Sequence, residues 1–296
     1  MKSVERPSWR GYLFVAPATV YLAVFALLPL GVAGYLALHR WHLLKPEHPF
    51  VGGGNFTALW TDPFFRQAVS NTLLYVVLSV PLGVVTALGV AVLVAQPLRG
   101  MGLFRTLFYI PAVSSQVALS MVWIWILLPE VGLLNGCVKW LGGAGTTNFL
   151  GEPGWALLAL VAMSLWIGLG PRMIIFLAGI QSIPGSLFEA AALDGCNAWR
   201  RFLHITLPLL APTMLFVVVT TTIAAFQLFT PVYVMTRGGP RRSTDVLLYH
   251  IYQEAWQKLE LGMASAQSYV LFAMILVVAL VQFRLLRRGW TGVSMN

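Results

Sequence analysis

Residues 155–181 read W-A-L-L-A-L-V-A-M-S-L-W-I-G-L-G-P-R-M-I-I-F-L-A-G-I-Q, with a single charge, Arg172, and no acid. A helix that crosses the hydrocarbon core of a bilayer needs about 20 mostly apolar residues at about 1.5 Å of rise each. This stretch exceeds that length, which leaves room for tilt. Gly168, Gly170 and Pro171 interrupt it. Such breakers are tolerated in a membrane where neighbouring helices or water satisfy the freed backbone groups. Arg172 lies about ten residues from the end of the stretch, too deep to snorkel easily. A charge at that depth costs a few kcal/mol or more, so it should face a cavity or a partner. The bland alternative is that it pairs with helix-end carbonyls.

Five further apolar runs of spanning length lie at 11–38, 71–95, 103–128, 208–236 and 262–283. Together they predict an all-α integral membrane protein of six spans. Composition agrees: 58% of the 296 residues are hydrophobic and 10% are charged, against about 25% charged in soluble domains. The eleven Trp and nine Tyr suit the headgroup level of a bilayer. Many runs hold an internal breaker (Pro29, Pro81, Pro111, Pro212, Pro231), which suits a bundle around a path better than a passive anchor. The first run is too long for a signal-peptide core and is expected to remain.

The net charge of +9 would suggest nucleic acid in a soluble protein. Here the basic residues punctuate apolar runs and act as topology signals. One side collects Lys2, Arg6, Arg10, Arg99, Arg105, Arg200, Arg201, Arg284, Arg287 and Arg288; the other collects Arg40, Lys45, Arg66, Lys139, Arg237, Arg241, Arg242 and Lys258. The first set is larger and sits closer to the terminal spans, which predicts both termini in the cytoplasm. Expected boundaries are a cytoplasmic N-terminus at 1–10, a transmembrane domain at 11–283 and a cytoplasmic tail at 284–296. Cys137 and Cys196 then fall on opposite sides, and no disulfide joins them. Between the spans, Tyr249, Tyr252 and Trp256 have the spacing of a short amphipathic helix.

Absences narrow the chemistry. There is no G-x-x-x-x-G-K-[ST], so the chain builds no P-loop. No Asp, Glu or His falls inside any of the six runs, which argues against a proton-driven carrier. H-E-x-x-H, G-x-S-x-G and paired cysteines are also missing, so an enzyme is not expected. What remains is a transport subunit powered from elsewhere, with a self-sufficient secondary transporter as the alternative. Such transporters often carry internal repeats, and none stands out between the two halves.

The loop at 182–207 is the most informative. Ser186 and Glu189 form an S-x-x-E capping box, predicting a helix that starts there. Gly195 can take the left-handed conformation that ends it, and Asn197 suits the cap of a second helix. Glu189-Ala190-Ala191, Gly195, Ile205 and Leu207-Pro208 together reproduce the signature of permease subunits of binding-protein-dependent ABC importers. Further matches are Asn55-Phe56, Asn71-Thr72-Leu73, Phe104-Arg105, Gln181-Ser182-Ile183-Pro184 and the T-R-G-G-P stretch at 236–240. The chain resembles the carbohydrate branch of that family, with its maltose-type and glycerol-3-phosphate-type importers, and the first of its two paired permeases. The extra periplasmic domain and N-terminal spans of the maltose type are not expected here.

The resemblance implies the type I importer permease fold. It implies a coupling helix carrying Glu189, Ala190, Ala191, Asp194 and Gly195, docked on an ATPase. It implies a second homologous permease, two ATP-binding subunits and an extracytoplasmic solute-binding protein that faces a loop with Gly238, Gly239 and Pro240. No cofactor belongs to this chain itself, since ATP is bound by its partners, and no nucleic acid is involved. The location implied is the cytoplasmic (inner) membrane. The family's solute contacts map near Gly168, Pro171, Thr221, Ala225, Gln227 and Leu228. Ala225 and Leu228 are not the polar residues of the maltose type. Arg172, Thr221, Thr222 and Gln227 are therefore the expected polar contacts, with Trp166 as a stacking surface. The alternative is that the Thr side chains bond their own helix and Gln227 bridges helices.

Overall fold

The structure, a computed structural model, describes residues 9–96, 99–143 and 145–288. Lys2 and Arg6 of the charge count, and the tail beyond residue 288, lie outside the described residues, as do the side chains of Arg10, Arg287 and Arg288. The described residues are mainly helical, with two isolated backbone bridges, His39 with Phe50 and His42 with Glu260.

Four helices are long and apolar enough to span a bilayer: Tyr12–Ala37, Pro63–Val94, Pro153–Gln181 and Leu261–Leu285. Two bent pairs bring the number to six: Met101–Val113 with Gln116–Ile126, bent by 101°, and Ala198–Leu209 with Ala211–Phe226, bent by 69°. The six-span expectation thus meets four continuous helices and two broken ones.

Local chemistry explains the breaks. Ser114 and Ser115 adopt extended ψ angles of 154° and 123° between the halves of the first pair. In the second pair the turn falls at Leu210 (ψ −4°), just ahead of Pro212; proline is tolerated in the first turn of a helix but not in its interior. This pair also corrects the expected 208–236 span. The helix ends at Phe226, where Gln227 takes φ −97°, ψ 24°. Two wider π turns, Ala23–Leu27 and Phe202–Thr206, each finish two residues before a proline, Pro29 and Pro208. A proline ring clashes with the carbonyl four residues earlier, and the widened turn relieves that clash.

The chain divides into two compact units. The first comprises Met1–Pro63 and Ile251–Val270. Here buried Asn55 donates from Nδ2 to the carbonyls of Ala37 (2.7 Å) and His39 (2.9 Å). It thereby satisfies the last carbonyl of the first long helix from eighteen residues away, and one just past its end. Leu43 N–H donates to Leu259 O at 2.9 Å and Gly262 N–H to Trp41 O at 3.0 Å. Tyr269 donates to Leu30 O at 2.7 Å.

The second unit comprises Phe64–His250 and Leu271–Asn296. Its core includes fully buried Phe65, Leu160, Met163, Met173, Phe176 and Phe226. Small residues let helix backbones approach closely, as is usual in membranes. A Cβ on Gly170 would stand 2.4 Å from Phe108 O, so the Pro153–Gln181 and Met101–Val113 helices touch there. Polar pins supplement this packing. Leu247 N–H donates to Thr72 Oγ1 at 2.7 Å, and Asn71 Nδ2 donates to Arg242 O at 2.7 Å and Asp245 O at 3.0 Å. Arg105 Nη2 donates to Val94 O at 2.7 Å, giving the last turn of the Pro63–Val94 helix the cation that a helix C-terminus favours. Large apolar side chains such as Val77 and Val85 remain exposed on that helix, as lipid-facing surface requires.

Candidate functional site

Within the second unit a cavity of about 210 Å³ opens between helices. Tyr75 and Ser79 reach it from Pro63–Val94, Gln116 from the start of Gln116–Ile126, and Ser164, Gly168 and Arg172 from Pro153–Gln181. Thr221 lines it from Ala211–Phe226, and Gln227 and Thr230 from the segment after that helix. The breaks matter here. Gln116 stands just after the break in one span, at the start of its second half, and Gln227 at the C-terminal end of another, so backbone freed from helical bonding borders the cavity, as membrane-depth irregularity requires.

Arg172 is half-buried. Its Nη2 donates to Leu165 O at 3.1 Å, seven residues back along its own helix, and its buried Nε has no partner. The guanidinium lies in a slot between glycines of two helices. A Cβ on Gly83 would stand 3.0 Å from Nη1, and one on Gly168 would stand 2.5 Å from Nη2.

Of the expected solute contacts, Gly168, Arg172, Thr221, Ala225, Gln227 and Leu228 all line the cavity. Trp166, Pro171 and Thr222 do not. The Trp166 ring lies 6.1 Å from that of Trp123. Thr222 is fully buried, donates to Val218 O at 2.8 Å and accepts from Gln282 Nε2 at 2.8 Å. Thr222 thus follows the structural alternative, bonding its own helix and bridging to another. Sequence reasoning missed Tyr75, Ser79, Gln116, Ser164 and Thr230; each is a polar residue within or beside an apolar run, which was the available signal.

The 182–207 loop folds into the helix Gly185–Leu193, then Ala198–Arg201 with its π continuation. The expected Ser186 capping box is not formed: the cap falls two residues earlier, at Pro184, with no side-chain cap bond. Pro184 sets that start because its φ of −57° already suits helix entry, leaving Ser186 inside the first turn. The other end matches its expectation. Gly195 has φ +73°, Cys196 N–H donates to Ala191 O at 2.9 Å and Gly195 N–H to Ala192 O at 3.1 Å, a complete Schellman closure. Asn197 accepts from Arg200 N–H at 2.8 Å and caps the next helix. Glu189, Ala190 and Asp194 are exposed, while Ala191 is buried. Beside them Leu193 is 91% exposed and Trp199 66%.

The T-R-G-G-P stretch is a tight loop. Gly238 (φ +82°) is buried, and a Cβ there would meet Tyr249 at 3.0 Å. Gly239 and Pro240 are half-buried, and the exposed side chains are those of Arg237 and Arg241. Thr244 donates to Gly239 O at 2.6 Å. Asp245 pairs with Arg242 at 2.9 Å and lies 3.1 Å from His250 Nδ1. The amphipathic helix expected nearby forms as Leu247–Tyr252 and continues as a π turn to Gln257, burying Tyr249 and exposing Trp256.

A helical membrane bundle with broken spans, an internal polar cavity and a rigid capped loop defines a transport subunit. The chain belongs to the family of binding-protein-dependent transport system inner membrane components, which matches residues 54–288. The lactose transport system permease protein LacF of Rhizobium radiobacter is 38% identical over 280 residues, covering 92% of each chain. The sn-glycerol-3-phosphate transport system permease protein UgpA of Yersinia enterocolitica is 34% identical over 282 residues, covering 95% of each. A bacterial ABC transporter involved in the import of the acidic polysaccharide alginate has a chain of the same fold. It superposes with a TM-score of 0.82 at 24% identity, over 95% of this chain and 96% of that one.

Proposed function

We propose that this permease moves a sugar, oligosaccharide or glycerol-3-phosphate-like solute inward, as one of two related permeases lining a single path. An extracytoplasmic binding protein delivers the solute, and one of two ATP-binding subunits docks on the 182–207 loop. The observation that carries this reading is the Gly185–Leu193 helix. It is exposed, closed at its end by Gly195, and presents Glu189 beside the exposed apolar surface of Leu193 and Trp199. Uncovered apolar groups next to a charge on a rigid loop form a docking surface for a soluble partner.

The same loop leads to the cavity. Asn197 caps the Ala198–Leu209 segment, which bends at Leu210 into Ala211–Phe226, the helix that carries Thr221 to the cavity wall. Closure of the ATPase dimer on binding ATP pushes the loop, and the bent helix transmits that push as a rigid-body movement of the wall. Hydrolysis by the partners resets it. This chain performs no bond chemistry itself. Both termini lie in the cytoplasm, by the charge distribution.

The test is ATP hydrolysis and solute uptake by the complex in liposomes. Hydrolysis stimulated by loaded binding protein, with uptake that needs ATP, is the expected result. Uptake by this chain alone, without ATPase subunits or binding protein, would sink the proposal.

A further inference from the structure

We infer that the solute is anionic, carrying a carboxylate or a phosphate, and that Arg172 is its charge receptor. The inference rests on the importer reading and narrows its solute class.

Arg172 is a charge held at membrane depth, and such a charge needs compensation. Among the described residues no carboxylate lies within ion-pair distance of it. The cavity it lines has no acidic residue at all; its polar groups are hydroxyls and amides, from Tyr75, Ser79, Gln116, Ser164, Thr221 and Gln227. The positive charge is therefore uncompensated inside a neutral wall.

A structural brace would give Arg172 a partner on another helix. Instead its hydrogen bond goes to Leu165 O, on its own helix, and Nε is left without one. A guanidinium has five donors in a planar fork, so most of its capacity is uncommitted. That fork matches a carboxylate or phosphate, which accept two parallel hydrogen bonds.

Room for the fork is built in. Gly83 and Gly168 stand on two different helices, and a methyl group on either would press on the guanidinium. The bond to Leu165 O holds the group in that slot at the cavity wall. Neutral sugar hydroxyls could use the donors but would leave the charge unbalanced in a low-dielectric site. An anion satisfies both the donors and the charge, and the surrounding hydroxyls and amides suit a polyhydroxylated body.

The experiment uses the whole importer with its binding protein in liposomes, and four probes in two matched pairs. These are galacturonate with galactose, and sn-glycerol 3-phosphate with glycerol. Expected is ATP-dependent uptake of one anion and not of its neutral counterpart; the pair that responds tells carboxylate from phosphate. Arg172→Gln should lower uptake of that anion by about 10- to 100-fold, the range for losing a hydrogen bond to a charged group. Arg172→Lys should recover part of it, which also guards against a merely misfolded variant. ATP-dependent import of galactose or glycerol at the rate of its anion, or unchanged anion uptake by Arg172→Gln, overturns the inference and leaves the importer reading standing. ATP-independent uptake by the chain alone removes both.

Discussion

Gly168 and Arg172 lie one helical turn apart, and a Cβ on Gly168 would stand 2.5 Å from Arg172 Nη2. The atom in the way is the tip of a flexible side chain, so Gly168→Ala should move the guanidinium rather than the backbone. Two residues on, a Cβ on Gly170 would stand 2.4 Å from Phe108 O and 2.7 Å from Tyr109 Cα, backbone atoms that cannot step aside. Gly168→Ala is expected to cost under about 1 kcal/mol of stability while cutting uptake about tenfold; Gly170→Ala should cost about 1–3 kcal/mol by overpacking. Thermal unfolding of the purified chain, set beside uptake, separates the two. Equal destabilisation by both would count against the slot.

The left-handed Gly195 closes the Gly185–Leu193 helix of the 182–207 loop. Gly195→Ala places a side chain at φ +73° and should cost about 1–2 kcal/mol locally. Asn197→Ala removes the cap bond to Arg200 N–H and should cost about 1 kcal/mol. Neither change touches the cavity. The expected signature is therefore reduced stimulation of ATP hydrolysis by loaded binding protein, with solute selectivity retained. A change in selectivity instead would deny the loop its coupling role.

Thr72 is buried and accepts the Leu247 N–H at 2.7 Å. Thr72→Val keeps the shape and deletes the acceptor, leaving a buried donor unsatisfied at a cost of about 1–3 kcal/mol. Thr72→Ser should hold close to wild type. Melting temperatures of the three proteins in one detergent give the comparison, and a Val variant as stable as Ser would mean that water reaches Leu247 N.

The two cysteines report topology. Cys137 is exposed and Cys196, within the 182–207 loop, is half-buried. A membrane-impermeant maleimide should label Cys137 in sealed, outward-facing vesicles and Cys196 only in inverted ones, with bound ATPase subunits slowing the latter. The Cys137→Ser and Cys196→Ser variants assign the signals. Labelling of both from one face would overturn the predicted orientation.

The apolar runs were legible because a bilayer imposes a length and a composition that show in any window of about 20 residues. The Gly195 closure and the Asn197 cap were legible because their partners lie within five residues. The Ser186 box failed at the same range, because Pro184 competed for the start of the helix. The breaks at Ser114 and Ser115 and after Phe226 stayed hidden inside runs apolar enough to look continuous.

Family membership, the spans and the capped loop follow from the order of residues, since hydrophobic length and local hydrogen bonding are properties of short segments. The cavity belongs to the tertiary structure alone. Asn55 reaches the end of a helix eighteen residues before it, Thr222 turns to Gln282, and Gly83 shares a slot with Arg172. Such contacts join segments far apart in the chain, and no local pattern marks them. Until helices pack, a polar residue in an apolar run has no defined neighbour, and packing decides whether it binds its own helix, another helix or a solute.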